Sequence, residues 1–337
     1  MKYFQTKKYL DCKHMKHSIH FFYDDIRCCC SNVKGLIFKS IDSNYKYSSD
    51  FTDFIYLERK NAVKKINNYF VPESFPLYCQ GCVQYSSSLS SNKVIDFDNL
   101  IDTVYIQNFM GCNAKCIYCT FAYYRNNQQL YKVLPIMNEL IEKNILSKDA
   151  HVCFSGGEPT ISEEFEILFS TLANYLTSKM NVFTSCIKYS NSIADAFVKN
   201  KVNLLISLDS GTPEIYKKVK LVDAFDKVVN NIKTYVNHSE NAKSSITLKY
   251  IILDGLNDDI QEMYSFLDLA AYLGIETVMF SFDCVKYRFD LNKPIPNQYL
   301  DFYKKFVEYA EKLELTVLIN PLAEPIMRKY FGDENFD

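Results

Sequence analysis

The sequence predicts an α/β protein whose parallel strands are joined by crossover helices, preceded by a smaller Cys-rich metal-binding module. Three observations lead there. From about Val104 onward, short apolar runs alternate with longer segments of helical period. The first hundred residues lack that alternation and hold a Cys28-Cys29-Cys30 run, a charged helical stretch around Tyr56 to Tyr69, a Pro-punctuated link from Val71 to Pro76 and a polar Ser stretch at 86–91. Finally, 48 % hydrophobic and 23 % charged residues among 337 are too apolar for extended disorder and enough for one large or two smaller domains. The expected divisions are 1–98 for the Cys-rich module, 99–320 for the α/β body and 321–337 for a tail.

Strands are expected at 104–108, 151–154, 180–184, 202–208, 245–252, 276–282 and 315–319. Between the first two, Pro135 in a first helical turn opens a helix to about Leu146. Ser162 followed by Glu163, Glu164 and Glu166 reads as an N-cap with an acidic first turn, starting a helix to about Thr177. Its core-facing stripe is then Ile167, Leu168, Thr171, Leu172, Tyr175 and Leu176. A second stripe, Met263, Phe266, Leu267, Ala270 and Ala271, marks a helix beginning near Asp258. Thr212-Pro213-Glu214 looks like another helix start. Either a doubly wound sheet or an open barrel would accommodate these elements, and both bind ligands beyond the carboxyl ends of their strands.

Charge narrows the function. With 38 Lys and Arg against 40 Asp and Glu, the formal charge is -2, so a global attraction to nucleic acid or anionic lipid is not expected. The first 20 residues mix Lys and His and hold no continuous apolar core, so neither a secretory signal nor a membrane span is expected. A reducing cytoplasm is the default location. In that setting the twelve Cys point to metal ligands rather than disulfides.

Directly after the first strand stands Gly111-Cys112-Asn113-Ala114-Lys115-Cys116-Ile117-Tyr118-Cys119. Three soft anionic ligands on one short βα loop suit an iron-sulfur cluster held by three corners. Zinc would want a fourth Cys or His, and the nearest His, His151, is placed at the far end of the second strand. A cluster iron without a protein ligand is free to bind a small molecule. The loop resembles that of the radical S-adenosylmethionine (SAM) superfamily, whose hallmark is CxxxCxxC after the first barrel strand, here Cys112, Cys116 and Cys119. Tyr118 matches the aromatic that packs against adenine in that family. Ser155-Gly156-Gly157-Glu158-Pro159, after the second strand, resembles the family's GGEP element, which contacts the SAM amino group. Independently, two Gly let backbone carbonyls approach an ammonium, and a carboxylate adds complementary charge.

Less specific are Ser207-Leu208-Asp209-Ser210-Gly211 after the fourth strand and Leu253 to Asp258 after the fifth. Both resemble loops that contact the cofactor's ribose, carboxylate or adenine, while capping or a turn role serves Ser207, Asp209 and Asn257 equally well. Thr184-Ser185-Cys186 departs from the Thr-Asn-Gly common in relatives. The resemblance covers about two thirds of the chain and implies a partial (β/α)6 open barrel. It also implies a [4Fe-4S] cluster that reductively cleaves SAM, and a 5′-deoxyadenosyl radical that takes hydrogen from a peptide or small-molecule substrate. A reducing partner such as a flavodoxin or ferredoxin follows from that chemistry.

Cys28, Cys30, Cys79 and Cys82 could close a four-thiolate site, with Cys29 or Cys28 the spare among five thiols. A second iron-sulfur cluster, a structural zinc and unligated thiols are all open readings of it. Cys284, after the sixth strand, is a structural thiol or a hydrogen donor to a substrate radical, and Asp283, Lys286, Tyr287 and Arg288 share its rim. The alternative from another class is a non-catalytic iron-sulfur electron carrier, which would have no use for the GGEP element.

Overall fold

A computed structural model describes residues 9–10, 12–28, 37–40, 47, 51–67, 89–90, 97–119, 121–122, 129–283, 296–321 and 328. The chain divides into two units, the first formed by Met1–Met110, Asn126–Gly156 and Ile167–Met180, the second by Gly111–Arg125, Gly157–Glu166 and Asn181–Asp337.

In the first unit, β1 (Tyr9–Leu10) pairs antiparallel with β5 (Leu89–Ser90). The main strands are β2 (Ser18–Phe21), β3 (Asp25–Arg27), β4 (Ile37–Ser40), β6 (Ile101–Ile106) and β7 (Leu146–Phe154), in the order β7-β6-β2-β3-β4. β2, β6 and β7 are parallel, and β3 and β4 continue antiparallel. Helices α1 (Lys13–His17), α2 (Phe51–Asn67), α3 (Leu134–Glu142) and α4 (Phe165–Tyr175) accompany them. The alternation did not predict β2, because its four residues are all buried and show no period of two. Buried Arg59 of α2 donates to the carbonyls of Lys16 and Asn99, fixing that helix to the segment before β6. The described residues before 98 therefore share a unit with β6 and β7.

The second unit has β8 (Met180–Thr184), β9 (Val202–Ser207), β10 (Ile246–Ile252), β11 (Thr277–Phe282) and β12 (Thr316–Ile319), ordered β12-β11-β10-β9-β8. β9 to β12 pair in parallel. Its helices are α5 (Asn191–Val198), α6 (Pro213–Lys220), α7 (Phe225–His238), α8 (Asn241–Ser245), α9 (Ile260–Tyr272) and α10 (Asn297–Lys312). Val202, Leu204 and Ile206 alternate into the core with half-exposed Asn203, Leu205 and Ser207, the period that builds a strand with one packed face. Gly211 is required by packing, since a Cβ there would lie 2.2 Å from the Phe266 nitrogen of α9.

The mostly parallel α/β class is the predicted one, while several boundaries differ, and β6 runs over Ile101–Ile106 rather than 104–108. α3 stops at Glu142, and β7 begins at Leu146 rather than near 151. A 3₁₀ turn over Pro159–Ile161, capped by Glu158, delays α4 to Phe165. Its buried stripe is Phe165, Leu168, Phe169, Leu172 and Leu176, whereas Ile167 is 62 % exposed. Phe169 takes the inner place because its ring packs against Phe154 of β7 at 5.6 Å between centroids.

Candidate functional site

The three-thiol loop follows β6 and belongs to the second unit. Cys112, Cys116 and Cys119 are all partly exposed. Backbone hydrogen bonds fix the loop: Lys115 N–H donates to the Lys220 carbonyl at 2.9 Å, Ile117 N–H to Val219 at 3.1 Å and Cys119 N–H to Cys116 at 3.2 Å. Among the described residues no three His, Cys, Asp or Glu side chains converge as they would on one metal ion. Burial, with neighbouring Glu158, Cys116 and Cys119 adding to it, pushes the Cys112 thiol up to about 11.

In the GGEP segment, Glu158 N–H donates to the Gly111 carbonyl at 2.7 Å. That bond joins the two motifs, since Gly111 directly precedes Cys112. The Glu158 side chain is 1 % exposed. Its Oε1 accepts from Thr160 N at 3.2 Å, Thr160 Oγ1 at 2.7 Å and Thr184 Oγ1 at 2.8 Å, and its Oε2 from Ser185 N at 2.6 Å and Ser185 Oγ at 2.7 Å. Ser185 Oγ also lies 2.9 Å from Asn113 Oδ1 on the thiol loop. The carboxylate's lone pairs are occupied inside the protein, so its charge acts through the segment it holds. Gly157 beside it is partly exposed, as is Gly156 in the first unit. Cys186 adopts the left-handed φ of 57° and is buried.

Asp209 and Asn257 are brought together, both fully buried. Asp209 Oδ1 accepts from Ile251 N at 2.8 Å, and Oδ2 accepts from the Tyr118 hydroxyl and the Lys220 ammonium. Lys220 Nζ also donates to the Tyr118 hydroxyl at 2.7 Å. Asn257 Nδ2 donates to the carbonyls of Asp209 and Ile251, each at 2.8 Å, and its Oδ1 accepts from Leu253 N at 2.7 Å. These contacts of Asn257 are those of a turn former. Burial works against the Lys220 ammonium, but Asp209 and then Cys116 outweigh it and raise its pKa. Burial, with the Asp209 charge, holds the Tyr118 phenol well above its ordinary range. Ser207 is half-buried at the end of β9.

Sequence motifs alone do not single out Lys220. The available signal is its place on α6, four residues after Tyr216 and next to Val219, in the buried stripe where a Lys needs a partner. Cys28 is buried, and its carbonyl accepts from Ser18 Oγ at 2.6 Å. Cys30, Cys79, Cys82 and Cys284 lie outside the described residues, as do Lys286, Tyr287 and Arg288. No helix among the described residues is long and apolar enough to cross a membrane.

Residues 109–267 match the Radical SAM superfamily. The chain is similar to a probable dual-specificity RNA methyltransferase RlmN of Malacoplasma penetrans, 23 % identical over 253 residues that cover 68 % of this chain and 71 % of the relative. A probable GTP 3',8-cyclase of Thermococcus kodakarensis is 28 % identical over 169 residues, covering 48 % of this chain and 51 % of the relative. In fold the chain is similar to Streptococcus suis SuiB bound to S-adenosylmethionine, with a TM-score of 0.52 and 15 % identity over 83 % of this chain and 58 % of that one. SuiB bound to its precursor peptide SuiA gives a TM-score of 0.51 and 16 % identity over 68 % of this chain and 52 % of that one. The chain thus spans little more than half the length of the cyclase and of SuiB.

Proposed function

Since the chain carries a radical SAM domain over residues 109–267, we propose that Cys112, Cys116 and Cys119 hold a [4Fe-4S] cluster whose fourth iron is left to the amino and carboxylate groups of SAM. When bound, the reduced cluster and SAM supply a 5′-deoxyadenosyl radical able to take hydrogen from an unactivated carbon. The observation that carries this reading is the Glu158 N–H to Gly111 carbonyl bond at 2.7 Å, which fixes the GGEP segment against the start of the thiol loop.

The protein's own residues then divide the work. Gly156 and Gly157 offer backbone carbonyls to the SAM ammonium, and Glu158 holds that segment in place through its buried donors. Tyr118 packs on the adenine through its ring, with its hydroxyl tethered by Asp209 and Lys220. Ser207 remains the candidate for a direct polar contact at the end of β9, with Asp209 and Asn257 shaping the loops around it. A flavodoxin or ferredoxin supplies the electron. The substrate is a peptide or small molecule, and the names of the RNA methyltransferase and cyclase relatives keep RNA and GTP among the candidates despite the chain's balanced charge.

Anaerobic reconstitution followed by dithionite reduction tests the proposal: about four iron per chain and 5′-deoxyadenosine formation are expected, both lost in Cys116→Ala. A colourless chain holding zinc, or no SAM cleavage, would overturn it. About eight iron per chain would extend the proposal to a second cluster on Cys28, Cys30, Cys79 and Cys82, while zinc at that site alone would make the amino-terminal module a structural one.

A further inference from the structure

β2, β6 and β7 run parallel with His20, Tyr105 and Cys153 in one register row and Ile19, Val104 and Val152 in the next. Gln107 and Ser155 stand one residue beyond the carboxyl ends of β6 and β7, where α/β sheets bind ligands. Buried His20 places Nε2 2.7 Å from Gln107 Oε1. That oxygen only accepts, so His20 carries its proton on Nε2 and the Gln107 amide group turns toward Ser155, with Nε2 2.6 Å from Ser155 Oγ. Gly156 keeps the two segments close: its φ is 101°, and a Cβ would lie 3.1 Å from the Phe109 carbonyl and 3.3 Å from Gln107 Cα.

Gln107 and Ser155 are partly exposed, while His20 behind them is 4 % exposed. Gln107 keeps a second amide hydrogen beyond the one given to Ser155. The Ser155 hydroxyl also bonds Cys153, and its oxygen retains a second lone pair. A donor and an acceptor therefore stand side by side in fixed positions. Rings flank them, His20 and Tyr105 at 5.7 Å and Tyr105 and His151 at 6.1 Å between centroids. His20, Tyr105, Cys153, Gln107 and Ser155 carry no fixed charge, and Arg27, opposite His20 on β3 in the same row, is already ion-paired with Asp25. A phosphate or carboxylate calls for Lys or Arg, whereas a neutral planar amide is matched by a carboxamide, a hydroxyl and aromatic edges.

We infer that Gln107 and Ser155, with His20 as the positioning residue behind them, recognise a neutral amide of a peptide substrate. This deepens the radical SAM reading, on which its place in a reaction rests, but the geometry belongs to the chain without cofactor. Affinity selection of N-acetylated, C-amidated hexapeptides on the iron-free full chain tests it without reference to cluster assembly, so a failure here and a failure of SAM cleavage are read separately. Wild type should enrich peptides. Gln107→Leu, similar in size but without hydrogen-bonding groups, should weaken their capture about tenfold, and His20→Phe, which keeps a ring but frees the amide to turn, about threefold. If Gln107→Leu fails to fold by circular dichroism, Gln107→Glu, which exchanges the donor for an acceptor, carries the same expectation. No enrichment by wild type, equal capture by the folded variants, or binding of GTP or an oligoribonucleotide in place of peptide would overturn the inference.

Discussion

Glu158 and Asp209 are buried carboxylates of the same unit, and they are held in opposite ways. Neutral groups surround Glu158: hydroxyls of Thr160, Thr184 and Ser185 and two backbone N–H groups. Asp209 faces one buried ammonium, Lys220, together with the Tyr118 hydroxyl and the Ile251 N–H. Dispersed dipoles keep a net negative charge and divide the stabilisation among several donors, whereas an ion pair cancels the charge and depends on a single cation. The first arrangement tolerates the loss of a donor; the second does not tolerate loss of its cation.

The largest expected effect follows from that asymmetry. Lys220→Met should destabilise the chain by about 3–5 kcal/mol in denaturant unfolding, because it strands the Asp209 charge, and adding Asp209→Asn should recover much of the loss. No recovery in the double variant would mean that Lys220 acts through packing alone. A smaller effect concerns reactivity: with its pKa near 11, the Cys112 thiol of the metal-free chain should alkylate at pH 8 roughly 100-fold more slowly than free cysteine. The thiolate is the reactive form, so the rate should climb until about pH 11. Glu158→Gln removes one of the charges that raise this pKa and should quicken the reaction, though burial, the larger cause, remains. Smallest is Cys186→Gly, where relief of the left-handed backbone offsets the lost buried thiol, giving a net change under about 1 kcal/mol in the same unfolding measurement. Cys186→Val should be clearly destabilising, since a β-branched side chain fits that backbone poorly.

The strands from β6 onward were legible because their apolar runs are short and bounded, and the thiol and GGEP motifs because their spacing is local. Ile167 falls on the outer face of α4, against expectation, because the sequence does not show that Phe154 will claim Phe169 as its ring partner. Lys220 is silent in the sequence because a Lys gains meaning in a core only through an acid from elsewhere in the chain, here Asp209, eleven residues earlier and across the start of α6. His20 and Gln107 escape for a similar reason: their bond joins residues 87 apart in sequence. Local periodicity carries the scaffold, while pairing between separated segments is visible only after folding.

The missing side chain at Gly211 reaches beyond local packing. Its N–H donates to Glu262 Oε1 at 2.6 Å, so the turn carrying Asp209 and α9 share a hydrogen bond at Glu262 and steric contact at Ser265 and Phe266. There is no slack at that joint for the helix to slide independently. Any rearrangement that opened this end of the unit would have to carry α9 and the turn along together, which makes stiffness, rather than a hinge, the property this glycine confers.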